Sequence, residues 1–178
     1  MGRHLDERLA LRAPRLYRRL SKLVGALPPR SPVRRRALKR MVAHGWEALS
    51  RGDDEIVLLL FDRDVEFNYI GEAPITGIAP SYHGHEGWLG FIRVWRAEWV
   101  DSQIKHTPEA MIDLGDRLVV RVTLTARGAA SGAAVAQTMG IVHWLGPDGA
   151  VVRQDNYWEW SECLKALGLE DTAPAVAF

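Results

Sequence analysis

Cysteine is almost missing from this chain: Cys163 stands alone in 178 residues, which excludes an internal disulfide and agrees with a reducing compartment. On its predicted helix it is expected to pack rather than react. No apolar run approaches the ~18 residues that a membrane-spanning helix needs. The N-terminus is studded with arginine and has no uninterrupted apolar stretch, so it does not read as a secretory signal, and a cytoplasmic protein is expected. Nucleotide, flavin and metal motifs are lacking too, so no cofactor is expected. His83 and His85 form an HxH pair, but no third ligand lies near them in sequence, which argues against a metal.

Acidic side chains are scarce in one region only. Residues 1–40 hold 13 Lys and Arg against Asp6 and Glu7, while the other 138 residues hold 10 basic and 20 acidic side chains. The net charge of +1 therefore hides a basic arm of +11 on an acidic body of −10. With its acidic body and an arm poor in aromatics, the protein is not expected to bind nucleic acid.

Within the arm, Leu9, Ala13, Leu16, Leu20, Leu23 and Leu27 recur at helical spacing, and Arg8, Arg12, Arg15, Arg18, Arg19 and Lys22 fall largely elsewhere on the wheel. Pro14 interrupts this pattern and can start a new helix; Pro28 and Pro29 end it. Such a stretch, across residues 8–40, either meets a membrane surface or acidic partner, or docks on the chain's own acidic domain or on a second copy. The organisation expected is an arm over residues 1–36, one domain over 37–170 and a tail over 171–178.

A composition of 47% hydrophobic and 25% charged residues suits one globular core. Ala37 to Arg51 places Leu38, Met41, Val42, Trp46 and Leu49 at helical spacing, and Gly52-Asp53-Asp54 ends that helix and caps a short one through Leu60. Asp64 to Ile70 alternates as a strand, and a loop with Gly71, Pro74, Gly77 and Pro80 follows. Gly84 introduces a helix from His85 to about Trp99, with Trp88, Phe91 and Trp95 along one side. Strands are then predicted over 104–112, 117–125, 133–145 and 151–158, joined by turns into an antiparallel meander, before a closing helix over 161–167. Helices first and a long curved sheet after give an α+β order.

Ala48-Leu49-Ser50-Arg51-Gly52-Asp53, Val65-Glu66, Tyr82 to Gly87, Pro147-Asp148-Gly149, and Tyr157 followed by Leu164 to Leu169 occur in an order and spacing that resemble SnoaL-like, or polyketide-cyclase-like, domains of the nuclear-transport-factor-2-like superfamily. The resemblance implies a cone: a bent antiparallel sheet wrapped around helices, enclosing a pocket for a small hydrophobic molecule, commonly in a homodimer formed through the outer sheet face.

Strand alternation then nominates the pocket. Phe67, Tyr69, Arg121, Thr123, Gln137, Met139, Ile141, His143, Gln154, Asn156 and Trp158 share one predicted face, and Trp46, Leu49, Trp88, Phe91 and Trp95 join them from helices. Area for affinity and a few polar groups for orientation suit an apolar, oxygenated ligand.

The enzymes of the superfamily imply particular residues, and most are missing here. The base of ketosteroid isomerases falls near Phe67 or Asn68, and the acid/base of SnoaL-like cyclases near Ile141 or Val142. The Asp-Arg-Asp set of limonene-epoxide-hydrolase-like enzymes falls on Thr123, Arg121 and Asn156, where only the arginine survives. Scytalone-dehydratase-like chemistry would draw on His143, Tyr69 and His85. Two functions stay open. One is an isomerase, cyclase, dehydratase or hydrolase with Tyr69 as acid, His143 as base, Arg121 as anchor and Asn156 as orienter; the other is non-catalytic binding of a ligand or a partner protein. Arg121 facing an apolar cavity would need a counter-group from Asp155, Glu159, Glu66 or the ligand.

Overall fold

A computed structural model of the chain describes residues 2–71, 75, 77–170 and 175–178, so Pro74 of the expected loop and residues 171–174 of the expected tail lie outside the described residues. The arm folds as its prolines dictate. Helix α1 spans Leu5–Arg12, and Pro14 opens α2, Pro14–Gly25, at the one helical position where a missing N–H costs nothing. Helix α3 runs Pro32–Ser50, five residues earlier than the Ala37 start expected, because Ser31 caps it and Pro32 begins it. The expected boundary between arm and domain thus falls inside one helix.

Gly52, at φ +76, ends the α3 turn and lets α4, Asp54–Leu60, leave at an angle. The chain then enters β1 (Phe61–Ile70), the short β2 (Ser81–His83) and α5 (Gly84–Ala97). Four long strands follow, β3 (Trp99–Asp113), β4 (Arg117–Gly128), β5 (Ala134–Leu145) and β6 (Val151–Tyr157), and α6 (Trp160–Ala166) and β7 (Val176–Ala177) close the order.

The sheet order is β2-β1-β6-β5-β4-β3-β7. The meander β3 to β6 is antiparallel, as expected, but β1 lies parallel to β6, so the sheet is mixed rather than purely antiparallel. Two short edge strands, β2 on β1 and β7 on β3, were not expected: three and two residues carry too little alternation to read. Bulges in β3, one beside Pro108 with its missing N–H, bend the sheet.

The main core fills the concave side. Trp46, Trp88, Phe91, Trp95, Phe67, Val120, Val122 and Ile141 are all buried there. On the convex side a smaller core forms under α6, where Val119, Val142, Tyr157, Cys163 and Leu164 meet. Cys163 is buried in that contact, and burial pushes its thiol up to about 12, so it packs rather than reacts. A β-carbon at Gly140 would overlap Cys163, so only glycine lets α6 come this close.

One face of the arm docks on the body. Arg34, 1% exposed, grips Asp113 with Nε at 2.7 Å and Nη2 at 2.9 Å, and donates to the carbonyls of Gly25, Leu27 and Gly115. It thereby ties the end of α2 to the β3–β4 turn. Arg3 pairs with Asp53 at 2.7 Å, His4 with Glu47 at 2.9 Å, and Glu7 with Arg51 at 2.6 Å.

Candidate functional site

Between α3, α4, α5 and the concave sheet lies a cavity of about 80 Å³. At roughly 10–15 Å³ per water this is room for a handful of waters, smaller than the pocket of a drug-sized ligand. Its walls are mostly apolar: Trp46 and Leu49 from α3, Trp88, Phe91 and Trp95 from α5, and Phe67, Met139 and Ile141 from the sheet are among them. Phe67 and Phe91 have ring centroids 4.4 Å apart, and Phe91 and Trp95 5.7 Å, so the aromatics form one continuous wall.

Five polar residues interrupt this lining: Tyr69, His106, His143, Gln154 and Asn156. Among the described residues no carboxylate lines it. Two of the five already have partners. Gln154 donates to Asn156 Oδ1 at 2.7 Å, and Asn156 Nδ2 donates to the Asn68 carbonyl at 2.8 Å. Two others are left over, because Tyr69 Oη and His143 Nδ1 are buried without a hydrogen-bond partner. Burial lowers the His143 pKa from 6.5 to about 4 and raises that of Tyr69, so both rings are neutral near pH 7. A neutral phenol donates; a neutral imidazole donates or accepts at Nδ1 according to its tautomer.

His106 was missed in the sequence. It stands on β3 beside Trp46, whose ring lies 5.4 Å from His106 and 6.2 Å from His143. Its Nδ1 is 3.4 Å from Ser50 Oγ, and desolvation, aided by the charge of Arg96, lowers its pKa to about 4. The signal was the alternation Ile104, His106 on a strand whose inner face is apolar.

Of the residues nominated from sequence, the structure brings Trp46, Phe67, Tyr69, Trp88, Phe91, Trp95, Met139, His143 and Asn156 to the cavity wall. Gln137 and Trp158 do not line it. Gln137 shares the Met139 face, but its Nε2 donates to the Trp158 carbonyl at 2.9 Å, and the Trp158 ring packs 6.4 Å from Trp95. His85 sits in the first turn of α5, away from the cavity, so the expected grouping with His143 and Tyr69 does not form.

Arg121 and Thr123 are corrected outright. Register sets Leu118 opposite His143, Val120 opposite Ile141 and Val122 opposite Met139, and residues directly opposite share a face. The odd positions of β4 therefore point outward. There Arg121 Nε lies 3.1 Å from Glu109 Oε2, though its N–H is angled away from that oxygen. The guanidinium stands over the Trp160 ring at 5.9 Å, and Thr123 Oγ1 donates to Glu109 at 2.5 Å. The counter-group is Glu109, not Asp155, Glu159, Glu66 or a ligand. Asp155 is outward as well, accepting from Asn68 Nδ2 at 2.9 Å, Trp144 Nε1 at 2.9 Å and Arg153 Nε at 2.8 Å. Among the described residues no group of three or more His, Cys, Asp or Glu is placed to hold a metal ion.

Solved structures share this fold. An NTF2-like protein of unknown function from Burkholderia pseudomallei is 23% identical with a TM-score of 0.60, covering 71% of this chain and 94% of its own. TerC, co-crystallised with polyporic acid, is 18% identical with a TM-score of 0.60, covering 72% and 96%. A Mycobacterium tuberculosis protein in complex with estradiol-17β-hemisuccinate is 18% identical with a TM-score of 0.53, covering 66% and 89%. At these identities the likeness is one of fold. No curated protein sequence matches the chain. The model of the SnoaL-like domain matches residues 39–154, well over half the chain, from α3 into β6, and this protein belongs to that family.

Proposed function

We propose that the domain binds a small, largely apolar molecule bearing one or two oxygen functions, held by Tyr69 Oη and His143 Nδ1. One observation carries this: two buried polar atoms in a mostly apolar chamber lack partners. Leaving such an atom unpaired costs about 1–3 kcal/mol, and a ligand oxygen at each would recover that cost. Asn156, with its remaining N–H, stands on the same wall as an orienting group. Arg121 has no part in the site. The neighbours crystallised with polyporic acid and with estradiol-17β-hemisuccinate support a ligand-binding cone.

The test is a tryptophan-fluorescence titration with small phenols and with steroid-like, terpenoid, polyketide-like and fatty-acid compounds. Saturable quenching by one oxygenated class is expected, lost in Trp95→Ala and weakened about tenfold in Tyr69→Phe. Silence across every class would sink the proposal.

Acid/base catalysis is a second function for the same pair, favoured by their facing one water-poor chamber. Tyr69 would donate a proton to a ligand oxygen and His143 would accept one. A histidine titrating at about 4 is a weak base near neutrality, and the chamber holds no carboxylate to replace it, so binding is the stronger proposal. Recovery of an unchanged ligand after long incubation would exclude turnover; conversion that stops in His143→Gln while affinity stays would establish it. Pairing of two copies is assigned to the half-buried outer face around Glu109, Arg121, Thr123 and Thr138, and Arg121→Glu is expected to shift sedimentation toward the monomer.

A further inference from the structure

A helix resting on a protein surface normally turns its leucines toward that surface. Helix α2 does the reverse. None of its residues is buried. Leu16, Leu20 and Leu23 are 48%, 44% and 66% exposed and follow one another along a single ridge. Arg15, Arg19 and Lys22, exposed as well, form the ridge beside it. Contact with the body is made by other sides: Arg18 pairs with Asp148 at 3.0 Å, the Ser21 backbone lies against Gly149, Tyr17 lines a small cavity with Met41 and Ala10, and Val24 packs against the main core. Gly149 has φ +81, and a β-carbon there would stand 3.0 Å from the Ser21 carbonyl, so the loop is built to receive this side of α2.

Exposed apolar side chains continue on either side of α2. Leu5, Leu9 and Val33 are 78%, 36% and 64% exposed, so six of the nine exposed large hydrophobic residues among those described lie between positions 5 and 33. Arg8, Arg12, Arg30, Arg35 and Arg36 stand exposed among them. These five, with Arg15, Arg19 and Lys22, form no ion pair with any described residue.

We propose that α1 and α2 seat the protein on an anionic bilayer surface, with the leucine ridge entering the boundary between headgroups and acyl chains and the free cations meeting phosphate and carboxylate headgroups. The docked arm lies in the plane of such a surface without unfolding. Among the described residues no helix is long and apolar enough to cross a membrane, and none is required. Charge selects this occupant. The body beyond residue 40 carries a net charge of −10 and is repelled by an anionic surface, which leaves the arm as the face that approaches. A second copy docked by the same patch would set these cations against their own images.

The test is sedimentation of the full-length protein with vesicles of phosphatidylcholine alone and with added phosphatidylglycerol. Partitioning onto the anionic vesicles is expected to exceed that onto neutral ones by about tenfold and to fall with salt. It should be lost both in Leu16→Ser/Leu20→Ser/Leu23→Ser and in Arg15→Glu/Arg19→Glu/Lys22→Glu, with unchanged near-UV circular dichroism showing that the fold is kept. Equal partitioning onto both vesicles would overturn the proposal. So would binding that survives the leucine variant, since that is surface adhesion without a seated helix, or a leucine variant that turns a dimer into a monomer, since a second copy then covers the ridge.

Discussion

The two faces of the sheet treat polar side chains differently. On the convex face they gather around carboxylates: Asp155 takes three donors, and Glu109 accepts from Thr123 and forms an ion pair with Arg121, whose Nε–H is angled away from it. On the concave face Tyr69 and His143 keep an oxygen and a nitrogen with no partner at all. Inside, Gln154 and Asn156 also have partners, and it is Tyr69 and His143 that we assign to a ligand.

The largest effect that could break this contrast is on the convex side. Asp155→Ala strands Asn68 Nδ2 and Trp144 Nε1, while the exposed Arg153 turns to water, and should cost about 3 kcal/mol in chemical unfolding while leaving ligand affinity unchanged. A comparable loss of affinity would show that the two faces are coupled.

Acidification tests the concave side. His106 and His143 have folded pKa values lowered from 6.5 to about 4, so between those pH values the unfolded chain binds more protons than the folded one. Their contribution is complete above pH 6.5 and is lost as pH falls toward 4, roughly 3 kcal/mol for each ring. Carboxylates held low by the arm, such as Asp53 beside Arg3 and Glu47 beside His4, lose their contribution only at lower pH, through the carboxylate range. Unfolding curves between pH 4 and 7 should flatten in His106→Gln/His143→Gln, and an unaltered slope would refute the burial of these rings.

Gly140→Ala should cost about 2 kcal/mol, because α6 must lift off Cys163, and it too should spare binding. The smallest effect on stability, and the one favourable effect, is expected from Tyr69→Phe: removing a buried hydroxyl that has no partner should stabilise the fold by about 1 kcal/mol, while ligand affinity falls.

Much of the cavity was legible because strand alternation and helical spacing are local: Tyr69 on β1, His143 on β5 and the tryptophans of α5 fell where the patterns put them. Arg121 and Thr123 went astray for a reason also present in the sequence. Leu118, Val120, Val122 and Leu124 form an unbroken apolar row that outweighs one arginine, and it fixes the other parity. His106 was within reach of its alternation with Ile104, whereas the parallel pairing of β1 with β6 depends on long-range packing that no local pattern records. The arm's docking by the side that carries Tyr17, Ser21 and Val24 could not be read from its wheel, which shows a leucine ridge but not which side meets the body.

The central claim, that the unpartnered atoms of the concave face receive a ligand oxygen, is met most directly by the nitrogen resonance of His143 Nδ1 in histidine-labelled protein titrated with 4-ethylphenol and with ethylbenzene. The account expects the phenol to shift that resonance and to bind about tenfold more tightly than the hydrocarbon, which should leave it in place. Equal affinities with an unmoved resonance would contradict it, and would make the cavity a packing void rather than a site.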